Sequence, residues 1–372
     1  MPNSLDTKVE DLPEEYISYS DDSLFNIISW GADYSFRELI MMYDENELLK
    51  PELQRKYVWD NKEASRFIDS ILLKLPVPSV FLAKVGEKLL IIDGFQRIMT
   101  IYDFVQKGIF SGDGKIFKLS NSEIINERWR GLSYKELSPD EQSRIRGRTI
   151  HAIIFEQKTP KGDTGMYQIF ERINTSGRTL KPQEIRNCVY QGKFNEFIME
   201  LNKKPYWRIL FGSEAEDSRM TDVELILRFF FMHDFYNNRD EIKIKQVPLK
   251  KSLNEFMDTM NAADDDKIEY LKGVFERTMI GVESSIGPNA FRNISSKAFQ
   301  PALFDAIGQA FAYVLNNSIS YNDDKTHFIN SRTKLLECEG FQDYIRTRTT
   351  NVDRIIGRIE MALEMLFNYR QD

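Results

Sequence analysis

Strand-like patterning is confined to the first half of this chain, and that asymmetry limits the folds open to it. Short runs of β-branched and aliphatic residues lie near 80–83, 88–92 and 149–155, bounded by turn residues as strands are. From about Leu180 onward the apolar residues recur at helical spacing instead. The pattern predicts helices over 182–190, 194–202, 221–233, 249–260, 266–285, 299–315, 326–338 and 350–368. The expected fold class is therefore α+β, with an α/β domain over 35–190 and an all-helical domain over 191–372.

Charge divides the chain differently. The net charge is −7, which by itself argues against a nucleic-acid partner. Residues 1–50 alone hold 12 acidic and 3 basic side chains, a net of −9, so the remainder is +2. Residues 1–34 read as an acidic, mobile arm. Such an arm either keeps the protein in solution or competes with nucleic acid for a basic face. Ser35-Phe36-Arg37-Glu38 then carries a capping-box signal for the first helix. Similar signals stand at Ser138-Pro139-Asp140-Glu141 and Thr221-Asp222-Val223-Glu224.

The candidate site lies where one strand hands over to one helix. Leu89–Ile92 is an apolar run; Asp93-Gly94-Phe95-Gln96-Arg97 follows, and Ile98, Ile101, Tyr102 and Val105 then fall on one helical face. A helix N-terminus favours phosphate through its open N–H groups and dipole. Gly94 permits close backbone approach, Arg97 offers a fork for phosphate, and Asp93 is a candidate ligand for a metal or a water. The plainer reading is a strand–helix turn with Asp93 as N-cap and Arg97 in an ion pair. Two further segments accompany it. One is Pro51-Glu52-Leu53-Gln54-Arg55-Lys56-Tyr57-Val58-Trp59, ahead of a helix over 61–75. The other is Phe170-Glu171-Arg172-Ile173-Asn174-Thr175-Ser176-Gly177-Arg178-Thr179-Leu180.

Taken together, these blocks resemble the bacterial family catalogued as domain of unknown function 262. This is the N-terminal part of GmrSD-type modification-dependent restriction enzymes. Its hallmark, Asp-Gly-Gln-Gln-Arg, reads here Asp93-Gly94-Phe95-Gln96-Arg97, with Phe95 in place of the first glutamine. The resemblance covers about residues 35 to 190 and implies a ParB/sulfiredoxin-like fold. It implies that Gln54, Arg55, Gly94, Arg97 and Asn174 bind a nucleotide, with Asp93 and Gln96 as catalytic residues and Asp93 as metal ligand. The cofactor expected is an NTP with Mg²⁺, which needs only one or two carboxylates beside phosphate oxygens. No Walker A sequence is present.

For nucleic acid, the best candidates are Arg128, Arg130, Arg144, Arg146 and Arg148, with Trp129 available to stack on bases. Residues 128–148 hold 6 basic and 3 acidic side chains. Solvated surface arginines are the competing reading. His151, His233 and His327 share no ligand spacing with one another or with Cys188 and Cys338, so no zinc constellation or His-Asn-His nuclease pattern is expected. Phe229-Phe230-Phe231 reads as core or subunit interface. No run of about 18 apolar residues exists and the first residues resemble no secretory signal, so a cytoplasmic protein with reduced thiols is expected. Three functions remain open. The first is a nucleotide-dependent, DNA-directed defence protein whose partners are DNA and a nuclease or other defence subunit. The others are a metal-dependent DNA endonuclease and a non-catalytic binding module; self-association is compatible with all three.

Overall fold

The structure is a computed structural model that describes residues 8–10, 26–50, 57, 59–159, 169 and 181–370. The chain divides into two compact units, one of Asp21–Leu180 with Asn187–Val189, the other of Met1–Ser20, Lys181–Arg186 and Tyr190–Asp372. The α+β class holds: one five-stranded sheet in the first unit, helices in the second.

In the α/β unit, β1 (Asn26–Ser35) runs directly into α1 (Phe36–Asp44). Ser35 makes the change of direction. Its hydroxyl accepts from the Glu38 amide at 3.2 Å while the Glu38 carboxylate accepts from the Ser35 amide at 2.6 Å, the reciprocal cap the sequence predicts. Then come β2 (Leu48–Leu49), α2 (Asn61–Leu72), β3 (Val80–Val85), β4 (Lys88–Asp93), α3 (Phe95–Tyr102), α4 (Pro139–Gly147) and β5 (Thr149–Thr159). The sheet order is β1-β5-β3-β4-β2. β5 is antiparallel to β1 and parallel to β3, and the β3–β4 hairpin puts Phe81 opposite Asp93. Alternation along the strands places Val80 and Leu82, Ile91, and Ile150, Ala152 and Ile154 in one core. There they meet Phe36 and Leu39 of α1, Phe67, Ile68 and Ile71 of α2, and Ile98 and Ile101 of α3.

β1 corrects the expected arm. Residues 26–35 lie within or beside the acidic head, yet they form a ten-residue edge strand paired residue by residue with β5. Ile27, Ile28, Trp30 and Tyr34 are strand formers, but most of the strand is exposed. Without a buried face it shows no apolar alternation to read.

The helical unit contains α5 (Pro182–Val189) up to Arg186, and α6 (Lys193–Asn202), α7 (Pro205–Phe211), α8 (Thr221–Asn237), α9 (Leu249–Asn261), α10 (Asp265–Ser285), α11 (Pro301–Asn316), α12 (Lys325–Glu337), α13 (Glu339–Arg346) and α14 (Val352–Phe367). The short helices α7 and α13 were not expected. α8 and α11 are central and buried nearly all round. Phe229 and Phe230 are core: Phe229 packs edge-on against Phe275 and tilted against Phe304, and Phe230 packs tilted against Phe275 and Phe197.

Buried charge is a second theme of this unit. The Asp305 carboxylate accepts from Arg228 Nε at 2.8 Å, Arg228 Nη2 at 2.6 Å and Arg358 Nη2 at 2.7 Å, all three side chains being fully buried. Asp222 is paired with Arg208 at 2.7 Å, and Glu224 with Arg186 at 2.8 Å. The capping box expected at Thr221–Glu224 does not form. Met220 occupies the cap position without a side-chain bond, because Asp222 and Glu224 are engaged by arginines of α7 and α5. At the other end of the sequence, Glu10 donates its amide to Phe299 O and Phe299 donates to Lys8 O, each at 2.9 Å. Among the described residues no helix is long and apolar enough to cross a membrane.

Candidate functional site

β4 ends at Asp93, and α3 begins at Phe95. Gly94 joins them with φ +99°, and a β-carbon there would lie 2.3 Å from Val80 Cγ1 and 2.9 Å from Val80 Cβ. Both the backbone conformation and the contact with β3 require glycine. Its role in this structure is thus to press the corner onto the neighbouring strand. Gly94, rather than the expected Asp93, holds the N-cap position, and no side chain caps the helix. That leaves the Asp93 carboxylate for Arg97, one helical turn on, whose Nη2 donates to Asp93 Oδ2. Arg97 Nη1 donates in addition to Pro78 O at 2.8 Å and Ser79 O at 2.7 Å. The guanidinium is therefore fixed in place. Asp93 Oδ1 takes no hydrogen bond among the described residues, and about a third of the side chain is exposed.

Phe95 points the other way. It is buried in the core of the unit, with Lys50 Nζ 5.4 Å from its ring centroid. Phe95, which stands where the expected motif has its first glutamine, therefore falls on a packing position. Gln96 is half-buried, and its Oε1 accepts from the Trp59 amide at 3.3 Å. Thr100, one turn further, shares a 2.6 Å hydrogen bond with the Tyr57 hydroxyl. These two contacts bring the tail of the upstream segment, some forty residues earlier, onto the first turns of α3. Gln54, Arg55 and Asn174 lie outside the described residues.

Below the corner, α3 loosens into a π-turn over Asp103–Lys107. Sequence reading gave Asp103 no role, yet its side chain is fully buried and bonded to the Ser111 amide at 2.7 Å. Burial raises its pKa, against the opposing hydrogen bond from Ser111 and the charge of Lys107. Among the described residues no three His, Cys, Asp or Glu side chains form a metal-binding group.

The arginines proposed for nucleic acid are dispersed into local duties. Arg144 donates to Leu72 O at 2.9 Å and Arg148 to Leu75 O at 3.0 Å. Arg144 thus sits at the C-terminal end of α2, where a cation suits the free carbonyls and the dipole, and Arg148 holds the loop just past it. Arg130 holds Ile125 O at 2.5 Å and Glu123 O at 3.0 Å, while Arg128 pairs with Glu141 at 2.8 Å. Arg146 is half-buried, and its charge acts on Tyr134. Trp129 is not available for stacking, since it is buried and donates to Asp69 Oδ1 at 2.7 Å.

The first unit is thus a mixed-sheet α+β domain with an acid–glycine–x–amide–arginine corner at a strand end. Residues 36–191 match the family of the GmrSD restriction endonuclease N-terminal domain. That part of the chain is similar to this family, and the likeness suggests a restriction- or defence-related protein that acts on DNA. No curated protein and no solved structure matches the chain.

Proposed function

We propose that this is a nucleotide-dependent, DNA-directed defence protein in which an NTP with Mg²⁺ binds at the Asp93–Arg97 corner and gates engagement of DNA or of a nuclease partner. The ParB/sulfiredoxin-like fold implied by the resemblance belongs to the same reading. The observation that supports it is convergence. Tyr57 and Trp59, next to Gln54-Arg55, are hydrogen-bonded to Thr100 and Gln96 on the helix that Arg97 opens. A fixed guanidinium beside a helix N-terminus suits a phosphate as electrostatic positioning. The residues fit the metal as well, because Asp93 Oδ1 is open and Mg²⁺ bound to a nucleotide needs few protein carboxylates. When bound, the ion would neutralise phosphate charge. Asp93 would hold it, Arg97 would hold phosphate oxygens, and the Tyr57–Thr100 bond would keep the upstream segment against α3.

Thermal denaturation with ATP, GTP and the dNTPs, with and without Mg²⁺, tests this reading. A ligand at 100 times its Kd stabilises by about 2.7 kcal/mol. Asp93→Asn keeps the side-chain shape and removes the charge, so it should abolish the Mg²⁺-dependent part of the shift in a folded protein. Arg97→Ala should abolish the shift altogether, and Arg97→Lys serves as its control because Arg97 also holds two backbone carbonyls. Absence of a shift with every nucleotide would sink the proposal, as would a Mg²⁺-dependent shift unchanged in Asp93→Asn. Phosphate release and plasmid nicking on the same samples distinguish turnover and cutting from binding.

A further inference from the structure

The arginines of residues 128–148 are largely engaged within their own unit, yet another part of the molecule carries cations that are not. In the helical unit, the segment after α8 runs antiparallel to the turn between α13 and α14. Val247 donates to Thr350 O at 2.9 Å and Val352 donates to Lys245 O at 3.0 Å, with Gln246 opposite Asn351. This pairing brings Ile242-Lys243-Ile244-Lys245-Gln246-Val247-Pro248-Leu249-Lys250-Lys251 beside Ile345-Arg346-Thr347-Arg348-Thr349-Thr350. The two stretches hold six basic residues and no acidic one.

Four of the six stand apart. Lys243, Lys245, Arg346 and Arg348 are exposed and make no ion pair among the described residues. Of the other two, Lys251 lies 3.7 Å from Glu255. The acid on α13, Asp343, accepts from Arg354 at 2.7 Å and from the Thr347 hydroxyl at 2.7 Å, and the charge of Arg348 acts on it without forming a close ion pair. Asp240, Glu241 and Asp353 flank the patch at its edges. Arg348 is held in a left-handed conformation, φ +46°, by a turn in which Asn351 donates to its carbonyl at 2.9 Å. A non-glycine residue rarely adopts that conformation. The turn projects a cation into solvent where an ordinary loop would need none.

We infer that this paired basic patch, Lys243, Lys245, Arg346 and Arg348, is a docking surface for the phosphate backbone of duplex nucleic acid. The inference rests on the DNA-directed reading above and assigns that reading a surface outside the α/β unit. Exposed lysines and arginines that close no ion pair favour a polyanion, and they do so most clearly in a chain that is acidic overall. The patch has little to read bases with, so the contact should be to backbone and insensitive to sequence.

The test is fluorescence anisotropy of a labelled 30-base-pair duplex with the full chain over a salt series. Each phosphate contact contributes about 0.9 to the slope of log affinity against log salt. Lys243→Ala, Lys245→Ala, Arg346→Ala and Arg348→Ala combined should cut affinity at low salt at least tenfold and lower the slope by about 3. The pair Lys243→Glu with Lys245→Glu, on the irregular segment alone, should do the same in smaller measure. Melting curves that match the parent establish that the variants are folded. Unchanged affinity and slope in both folded variants would overturn the patch while leaving the DNA-directed reading intact. Failure of the parent to bind the duplex at low salt, with or without nucleotide, would overturn both. A third arm uses labelled polyglutamate. Patch-dependent capture of polyglutamate without capture of the duplex would replace nucleic acid by an acidic polypeptide as the occupant.

Discussion

The arginines of the α4 region and those around Asp305 invite comparison, because the same side chain solves opposite problems in the two places. Near α4, Arg144 closes a carbonyl that the end of α2 leaves open, and Arg148 holds a carbonyl of the loop that follows. Both side chains are only half-buried. Around Asp305, Arg228 and Arg358 are completely buried and share one carboxylate. There the charge has no solvent to fall back on, and the geometry of the trio must hold for the core to exist. Arginine count therefore says little about function. What matters is where each guanidinium ends, and only those that end nowhere in the chain are available to a partner.

The comparison can be broken most severely at its buried end. Asp305→Ala should destabilise the helical unit by about 3–5 kcal/mol, since it strands two buried cations. Urea unfolding followed by far-ultraviolet circular dichroism reads this, and a loss below 1 kcal/mol would mean that the trio is not cooperative. His233 probes the same core with a single charge. Burial lowers its pKa to about 4 from 6.5, so the unfolded state binds the extra proton first. The resulting stability is fully present above pH 6.5 and is lost as pH falls from there to about 4, on the order of 3 kcal/mol in all. His233→Gln should flatten that part of the stability–pH curve; a curve of unchanged steepness would assign the acid sensitivity to other groups.

Smaller effects belong to the α/β unit. Gly94→Ala should cost about 1–3 kcal/mol through overpacking against Val80 and the left-handed backbone. The melting temperature measures it, and a neutral outcome would mean that β3 yields easily. Arg144→Ala should cost about 1 kcal/mol for the lost carbonyl bond and leave duplex affinity unchanged. A fall in affinity without a fall in stability would return this region to the nucleic-acid surface.

The sequence disclosed elements better than partners. Strands β3 to β5 and most of the helices stand near their expected positions, because a buried face imposes a period that can be counted. β1 escaped for want of such a face, and α7 and α13 for want of length. At the corner, the order strand–Asp93-Gly94–helix was legible, as was an ion pair at Arg97; that Asp93 is its partner, and not the helix cap, was not. What could not be read was direction. Phe95 turns inward, Gly94 meets Val80, and Trp129 finds Asp69, and each of these depends on a residue distant in sequence. The pairing of Lys245 with Val352 is a contact of the same kind, over a hundred residues apart.

The backbone pairing of Lys8–Glu10 with Phe299 gives the chain an unusual itinerary. The polypeptide is anchored on the helical unit first, leaves to build the whole sheet domain, and returns at α5. The sheet domain is thus an insertion, connected covalently at both of its ends. One proteolytic nick in either connection would leave the two halves on a single thread, and two nicks would be needed to part them. A recombinant fragment starting at residue 181 would leave Phe299 without the Lys8–Glu10 bridge that pairs with it in the whole chain.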